Sequence, residues 1–162
     1  MAKKGSGRRG FTLIELLIIV AIIGILSGIA VVLYGIALNR ARQKRTAADM
    51  RTIATAWEQR AADTSSYLMS GYTFPTEEIP FADLNAQLIP TYARTLPEFD
   101  GWGNKFDFAA GPQASEWAIR SRGRDGLVDG DDYVAGLTDS PDCDMVFANG
   151  AFVTYPGIVQ NN

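Results

Sequence analysis

Acidic side chains are concentrated in one stretch of the sequence, residues 122–144. Calcium takes about six to eight oxygen ligands from carboxylates and carbonyls on a flexible loop. An EF-hand is a poor match, because Leu127 and Gly136 occupy the third and twelfth positions of the loop, where Asp or Asn and Glu belong. The pattern permits either a calcium loop or a solvated acidic loop with Asp-Gly turns. Its aspartates are Asp125, Asp129, Asp131, Asp132, Asp139, Asp142 and Asp144.

A second unusual carboxylate, Glu15, is the only charged side chain within residues 11–38. That apolar stretch is longer than the roughly 20 residues that a transmembrane helix needs. A carboxylate near the end of such a helix costs on the order of a few kcal/mol unless it finds a partner. Glu15 therefore either points toward the membrane interface from the first helical turn, where it suits the helix dipole, or pairs with a cation of another chain.

The remaining side chains offer little chemistry. The chain contains no histidine and one cysteine, Cys143, which excludes histidine-based acid–base catalysis, histidine metal sites and an intrachain disulfide. The aspartates on both sides of Cys143 argue against a reactive thiolate. Because no nucleophile–base pair stands out, we predict that the protein is not an enzyme.

The elements that carry these residues begin with a long helix. Beyond the apolar stretch, residues 39–62 contain no Pro or Gly and should continue the helix. We predict one helix from about Thr12 to about Ala62, whose second half buries an apolar stripe against the rest of the protein. The stripe consists of Ala47, Met50, Ile53, Ala54 and Trp57.

Charge is distributed unevenly along the chain. Residues 39–62, called the stem below, carry six basic and two acidic side chains, whereas residues 63–162, the head, carry five basic and fifteen acidic ones. A basic stem and an acidic head could bind copies of the same chain, or the stem could touch anionic lipid headgroups. The basic stem residues are Arg40, Arg42, Lys44, Arg45, Arg51 and Arg60.

The head has the pattern of a small sheet. Residues 63–98 are loop-like, with one short helix predicted at Asp83–Leu88. Alternating apolar residues predict strands around Phe106 to Phe108 and around Trp117 to Ile119. Residues 145–155 predict a hairpin whose Asn-Gly turn favours type I′. Together with the long helix, these elements predict an α+β fold with an antiparallel sheet packed on the helix.

Three segments resemble a known family. Gly10, Phe11 and Glu15, within G-FTLIELLIIVAIIGIL, are similar to the N-terminal signature of the type IV pilin superfamily. Asp100-Gly-Trp-Gly-Asn-Lys-Phe106 and Ser121-Arg-Gly-Arg-Asp-Gly126 resemble the head motifs of one branch, the major (G-type) pseudopilin of type II secretion systems. The resemblance implies a pilin-like fold.

The resemblance also implies how the chain is processed. A prepilin peptidase would cut after Gly10, and the new N-terminal residue, Phe11, would be N-methylated. Glu15 would then neutralise the amine of a neighbouring subunit and fix the register of assembly. The implied segments are residues 1–10, a cleaved leader; 11–38, the transmembrane and filament-core half of the helix; 39–62, its amphipathic half; and 63–162, a globular head.

A calcium site is implied by the same resemblance. The matching ligands are Asp125 and the backbone carbonyl of Arg122. The later ligands stay open: the closing sequence Asp142-Cys-Asp-Met145 favours Asp139 and Asp142, whereas Asp131 and Asp132 lie closer along the chain.

The implied function is that of a structural subunit. The chain would sit in the bacterial inner membrane with its head in the periplasm, then polymerise into a pseudopilus that drives export of folded proteins. Its partners would be the prepilin peptidase, the inner-membrane assembly platform and ATPase, minor pseudopilins and copies of itself, with no nucleic acid. Two alternatives are a type IV pilin of an extracellular filament and a membrane-anchored calcium-binding domain that never polymerises.

Overall fold

The computed structural model describes residues 10–66, 79–110, 116–129, 136–138 and 140–156. Its chain forms two compact units, residues 1–38 and residues 39–162. The elements in chain order are α1 (Leu13–Thr64), α2 (Phe81–Leu88), β1 (Asp107–Ala110), β2 (Trp117–Ser121), β3 (Gly136–Thr138), β4 (Met145–Ala148) and β5 (Ala151–Pro156). The predicted long helix and the short helix before Ile89 are confirmed.

The first unit is the apolar part of α1. All of its large apolar side chains from Leu13 to Leu38 are exposed. The mean hydropathy of the most apolar 18-residue window of α1 is 3.2, so the helix is long and apolar enough to cross a membrane. This surface needs an apolar environment that the unit does not supply.

The stem half of α1 contributes the core of the second unit. Met50, Ile53 and Trp57 are fully buried, and the whole predicted apolar stripe is buried with them. The Trp57 ring lies 5.2 Å from the ring of Trp117 and 6.4 Å from that of Phe108, centroid to centroid. The stripe predicted from the helical period is therefore confirmed as the face that packs on the sheet.

The sheet has the strand order β1-β2-β4-β5-β3. The pairs β1–β2, β2–β4 and β4–β5 are antiparallel, as predicted, but β3 pairs parallel with β5. The predicted antiparallel sheet is therefore confirmed for β1, β2, β4 and β5, and β3 adds one parallel pair at its edge. The long connection between β2 and β4 brings β3 to the free edge of β5, whose backbone groups would otherwise lack partners on that side.

Strand register decides which side chains enter the core. Phe108 pairs with Ile119, and Ile119 with Phe147, so these three side chains share one face of the sheet. All three are buried, and Trp117 of the same face contacts Trp57 of α1. The inner face is thus an aromatic and aliphatic layer laid on the stem.

The turn between β4 and β5 has the predicted chemistry. Asn149 and Gly150 have φ angles of 49° and 86°, as a type I′ turn requires at both central positions. The Asn149 side chain also accepts a hydrogen bond of 3.0 Å from the backbone N–H of Trp117. This bond ties the turn to the neighbouring strand β2.

Removing the largest stem side chain tests this packing. We expect Trp57→Ala to lower the free energy of unfolding of the head by about 3–5 kcal/mol, because it removes buried aromatic contacts and leaves a cavity. Denaturation of the full chain in detergent, followed by near-UV circular dichroism, measures this change. Gln59→Ala on the exposed face is the control, with an expected change within about 0.5 kcal/mol. Equal effects of the two substitutions would contradict the packing.

Candidate functional site

A tight turn at residues 100–105 is built around one buried carboxylate. Asp100 is 3% exposed. One of its carboxylate oxygens accepts the backbone N–H groups of Trp102 and Asn104, each at 2.9 Å. Its own N–H donates to the carbonyl of Asn104 at 2.8 Å. Because a short acidic side chain can bond backbone groups two to four residues ahead, it holds this turn closed.

The turn is fastened to the stem at one point. The backbone N–H of Gly101 donates to the hydroxyl of Thr46 at 2.9 Å, and that hydroxyl donates to the carbonyl of Arg42 at 3.0 Å. A Cβ atom on Gly101 would lie 2.5 Å from the same carbonyl oxygen. The residue must therefore be glycine for the turn to approach α1 this closely.

A second turn, residues 121–126, is bound to the first. The hydroxyl of buried Ser121 donates to the remaining oxygen of Asp100 at 2.7 Å. The side-chain amide of Asn104 donates to the carbonyl of Gly123, also at 2.7 Å. The motif residues of both segments thus bond to one another.

Residues 140–144 close the acidic loop against the second turn. Gly123 has a φ angle of 63°, and a Cβ atom there would lie 2.5 Å from the carbonyl oxygen of Asp142. The backbone N–H of Arg124 donates to the carbonyl of Pro141 at 2.9 Å. The Arg124 guanidinium also binds both carboxylate oxygens of Asp142, each at 2.6 Å. This fork-to-fork contact holds the pKa of Asp142 below its ordinary value.

Two aspartates face each other inside the loop. The N–H of Asp129 donates to a carboxylate oxygen of Asp144 at 3.1 Å, and the N–H of Asp144 donates to one of Asp129 at 3.1 Å. Asp144 is 6% exposed, and its other oxygen, Oδ1, is buried with no hydrogen-bond partner among the described residues. Burial raises the pKa of Asp144. A buried carboxylate with an unused oxygen is a position that a cation would stabilise.

An ion cluster around the buried carboxylate of Asp107 lies on the outer face of the same sheet. Asp107 is 8% exposed and faces Arg120 across β1 and β2, with 3.1 Å between its carboxylate and the Arg120 Nε. Arg122 adds two bonds to Asp107, of 2.8 and 2.7 Å. Opposite charges at paired strand positions are the signal that sequence reasoning missed. Because Arg120 also acts on the carboxylate of Asp144, the cluster is electrostatically linked to the loop.

The predicted calcium ligands have different surroundings. Asp125 is exposed and accepts the N–H of Leu127 at 3.0 Å. Both oxygens of Asp142 are held by Arg124, and the side chain of Arg122 is bound to Asp107. Asp131, Asp132 and Asp139 lie outside the described residues, and within the described part of the chain no group of three potential ligands comes together. Calcium binding stays a prediction.

The facing pair of Asp129 and Asp144 was not singled out from the sequence. Both residues were counted among the acidic side chains of the loop, but their backbone-to-carboxylate contacts join positions 15 residues apart. No local motif marks such a pairing, since only the folded loop brings the two residues together.

At the other end of the chain, Glu15 binds its own helix. The N–H and the hydroxyl of Thr12 donate to one Glu15 oxygen at 2.9 and 2.8 Å, and the Glu15 N–H approaches the Thr12 hydroxyl at 3.3 Å. This reciprocal arrangement is a capping box, which sequence reasoning missed although Thr-x-x-Glu is its signature. Gly10 and Phe11 are exposed before it. The intermolecular pairing of Glu15 stays a prediction.

The N-terminal residues match a known sequence profile. The profile describes the prokaryotic N-terminal methylation motif and matches residues 5–31. This range includes Gly10, Phe11 and Glu15, the residues that carried the resemblance.

Two known proteins are similar to the chain over most of its length, and both are named type II secretion system core protein G. The protein of Klebsiella pneumoniae is 27% identical over 141 residues, which cover 81% of this chain and 95% of the relative. That of Klebsiella michiganensis is 28% identical over 143 residues, which cover 82% and 95%. Neither name is that of an enzyme. No solved structure gives a significant match to the chain.

The cost of burying Asp144 can be measured by pH titration. Because burial raises the pKa of this carboxyl above its ordinary value of 3.8, its charge destabilises the folded state at neutral pH, and this cost disappears below both the unfolded and the folded pKa. We therefore expect Asp144→Asn to raise the free energy of unfolding at neutral pH, in the presence of chelator, by about 1–2 kcal/mol. The gain should vanish below about pH 3.

Glu116→Gln, at an exposed carboxylate, is the matched control for this titration and should change stability little at any pH. A loss of stability in Asp144→Asn at neutral pH would contradict the prediction, because it would mean that the carboxylate stabilises the loop without a cation.

Proposed function

We propose that this chain, pilin-like in fold and similar over most of its length to core protein G of type II secretion systems, is the major pseudopilin of such a system. Its role is structural: copies polymerise into a periplasmic pseudopilus that drives export of folded proteins. The observation that carries the proposal is an apolar helix half whose large side chains are all exposed, continuous with a stem that packs on a folded head.

Two environments can surround the exposed apolar side chains of this half of α1. In a bilayer its side chains contact lipid tails, and its backbone groups are bonded within the helix. In a filament they contact the same helix of other copies. Lipid tails are about as apolar as leucine side chains, so the transfer from bilayer to filament gains little from the hydrophobic effect. Contacts that form in the filament but not in the bilayer must therefore drive assembly, and polar contacts are the natural candidates.

Glu15 supplies one such contact. Cleavage after Gly10 would create a charged amine at Phe11, and a neighbouring subunit's Glu15 would neutralise it in the apolar core of the filament. The capping bonds from Thr12 hold the carboxylate at the start of the helix, where such an amine would be available. An unpaired charge in this environment is costly, so the pair would set the register between subunits.

The proposed location and partners follow from this role. Residues 1–10 act as a cytoplasmic leader for the prepilin peptidase, residues 11–38 span the inner membrane once, and the head lies in the periplasm. An assembly platform with its cytoplasmic ATPase would add subunits, and minor pseudopilins would share the filament. The candidate membrane helix near the N-terminus and the names of the two relatives support this arrangement.

We further propose that the acidic loop binds calcium. The support is the unused, buried oxygen of Asp144 opposite Asp129, in a loop already held by interlocked turns. Asp125, Asp131, Asp139 and the carbonyl of Arg122 are the other proposed ligands. Asp142 joins such a site only if it exchanges Arg124 for the metal. Bound calcium would supply positive charge that offsets the crowded carboxylates.

Calcium binding has a direct thermodynamic test. At about 100 times its dissociation constant, a ligand of the folded state adds roughly 2.7 kcal/mol to the free energy of unfolding. We expect thermal unfolding of the full chain in detergent to shift upward with calcium and to return with excess chelator. Asp125→Ala and Asp144→Asn should abolish the shift, whereas the control Glu116→Gln should keep it. Absence of any shift in the unmodified chain would contradict the calcium site.

Processing and assembly are tested by two substitutions in cells that contain the secretion machinery. Gly10→Ala should leave the leader attached, as read by mass spectrometry of the N-terminus. Glu15→Ala should be cleaved normally but yield far fewer filaments, because the register-fixing charge is absent. Glu116→Gln is the control, since it removes an exposed carboxylate of the head outside the apolar half of α1.

One result would contradict the proposed role of Glu15, and another would contradict the proposed function. Intact filaments from Glu15→Ala would contradict the role of Glu15 in register. Long fibres on the cell surface, with no effect of their loss on protein export, would instead favour an extracellular type IV pilin.

A further inference from the structure

The exposed side of the stem carries a basic face. Arg40, Lys44 and Arg51 stand at positions i, i+4 and i+11, which places them within about 40° of one another around α1. All three are exposed, and within the described residues none forms an ion pair. By contrast, Arg45 lies 3.5 Å from Asp49 on another side of the helix. We call Arg40, Lys44 and Arg51 the basic stripe.

The basic stripe has features that suit contact with another chain. Like charges four residues apart, as at Arg40 and Lys44, destabilise a helix slightly, so the stem alone gains nothing from them. The guanidinium of Arg51 is held 5.1 Å above the ring of Phe152. Ala48, four residues after Lys44 and three before Arg51, is also exposed, and its small side chain leaves room for a neighbouring side chain beside these two cations.

The acidic loop presents a surface of opposite character. Leu127 is 66% exposed and Val128 is 40% exposed, and the exposed carboxylates of Asp125 and Asp129 stand on either side. Hydrogen bonds from Leu127 N–H to Asp125 and from Asp129 N–H to Asp144 hold the segment in place. We call residues 125–129 the loop tip. Because the tip is already ordered, a partner would pay little conformational entropy to bind it.

Within one copy the two surfaces lie on different sides of the stem. The turns that carry the loop are fastened to α1 at Arg42 and Thr46. The basic stripe is centred roughly 160° away from these two residues around the helix axis. A loop tip that binds a basic stripe must therefore come from another copy.

We propose that the loop tip of one copy docks on the basic stripe of the next, with Leu127 and Val128 over Ala48 and the flanking carboxylates beside the cations. This inference rests on the proposed filament function, and it specifies which surface of the head contacts which surface of the stem in the filament. The two surfaces differ, so the contact is heterologous, and a heterologous contact whose rotation does not close builds an open helical filament.

Bound calcium is compatible with this contact. Residues 122–144 carry seven aspartates and two arginines, so one divalent cation leaves the segment negative. Anionic lipid is the competing occupant of the basic stripe. Arg51 lies 13 residues beyond the apolar stretch, about 20 Å along a helix, which is farther than the roughly 8–10 Å over which a charged membrane surface acts. The full length of the stripe therefore fits a protein partner better.

Cysteine cross-linking tests the contact directly. In full-length chains with Cys143→Ser, assembled in cells, Lys44→Cys and Leu127→Cys in the same chain should give a ladder of disulfide-linked multimers on mild oxidation. Either substitution alone should give no ladder, because a heterologous contact needs both. Arg94→Cys with Leu127→Cys is the control pair, since Arg94 is exposed outside the basic stripe, and it should stay monomeric.

Charge exchange tests the energetics of the same contact without touching a proposed calcium ligand. Lys44→Glu should reduce filament yield about tenfold, and adding Leu127→Lys to the same chain should restore it. Arg94→Glu makes the same change of charge elsewhere on the exposed surface and should leave the yield unchanged.

The outcomes separate the two proposals. If unmodified filaments form but no ladder appears and Lys44→Glu assembles normally, the contact is overturned and the filament function stands. The same result with weaker binding of Lys44→Glu to anionic vesicles would assign the stripe to lipid and also overturn the contact. If the unmodified, processed chain never forms filaments, the proposed function fails and the inference fails with it.

Discussion

The structure depends on one constraint: the two halves of helix α1 need different surroundings, although they form one continuous helix. Its first half is apolar on every side and has no polar face to offer to water, so it needs apolar surroundings. Its second half is apolar on one side only, and Met50, Ile53 and Trp57 bury that side against the sheet. The change occurs without a break in the helix. The side-chain pattern of each half therefore decides what that half packs against, because the backbone conformation is the same in both.

The head uses its recognisable motifs for architecture. Asp100 closes one turn and bonds Ser121 of the next, while Asn104 bonds the carbonyl of Gly123. Gly101 and Gly123 permit contacts of backbone against backbone that any Cβ would prevent. These polar bonds are mostly shielded from water, where satisfied groups are stable and unsatisfied ones are costly. The result is a connected series of turns that runs from the stem to residues 140–144, at the end of the acidic loop.

Electrostatic balance differs between the parts of this structure. Asp107 is matched by Arg120 and Arg122, and Asp142 by Arg124, so these carboxylates are satisfied within the chain. Asp144 keeps an unused oxygen, and three stem cations keep no anionic partner within the described residues. The chain thus pairs charges where they support the fold. Among the described residues, the buried Oδ1 of Asp144 and the three exposed stem cations have no ion-pair partner.

Local patterns in the sequence were sufficient to determine the long helix, its buried stripe, the Asn149-Gly150 turn and the apolar span with its carboxylate at Glu15. Each depends on residues a few positions apart, and the helical and strand periods report on such spacings directly. The parallel strand β3, the facing pair of Asp129 and Asp144, the engagement of Asp142 by Arg124 and the ion cluster at Asp107 were decided by tertiary structure. They join residues more than ten positions apart, and the choice among several equivalent aspartates depends on which of them the folded loop places near a cation or a backbone donor.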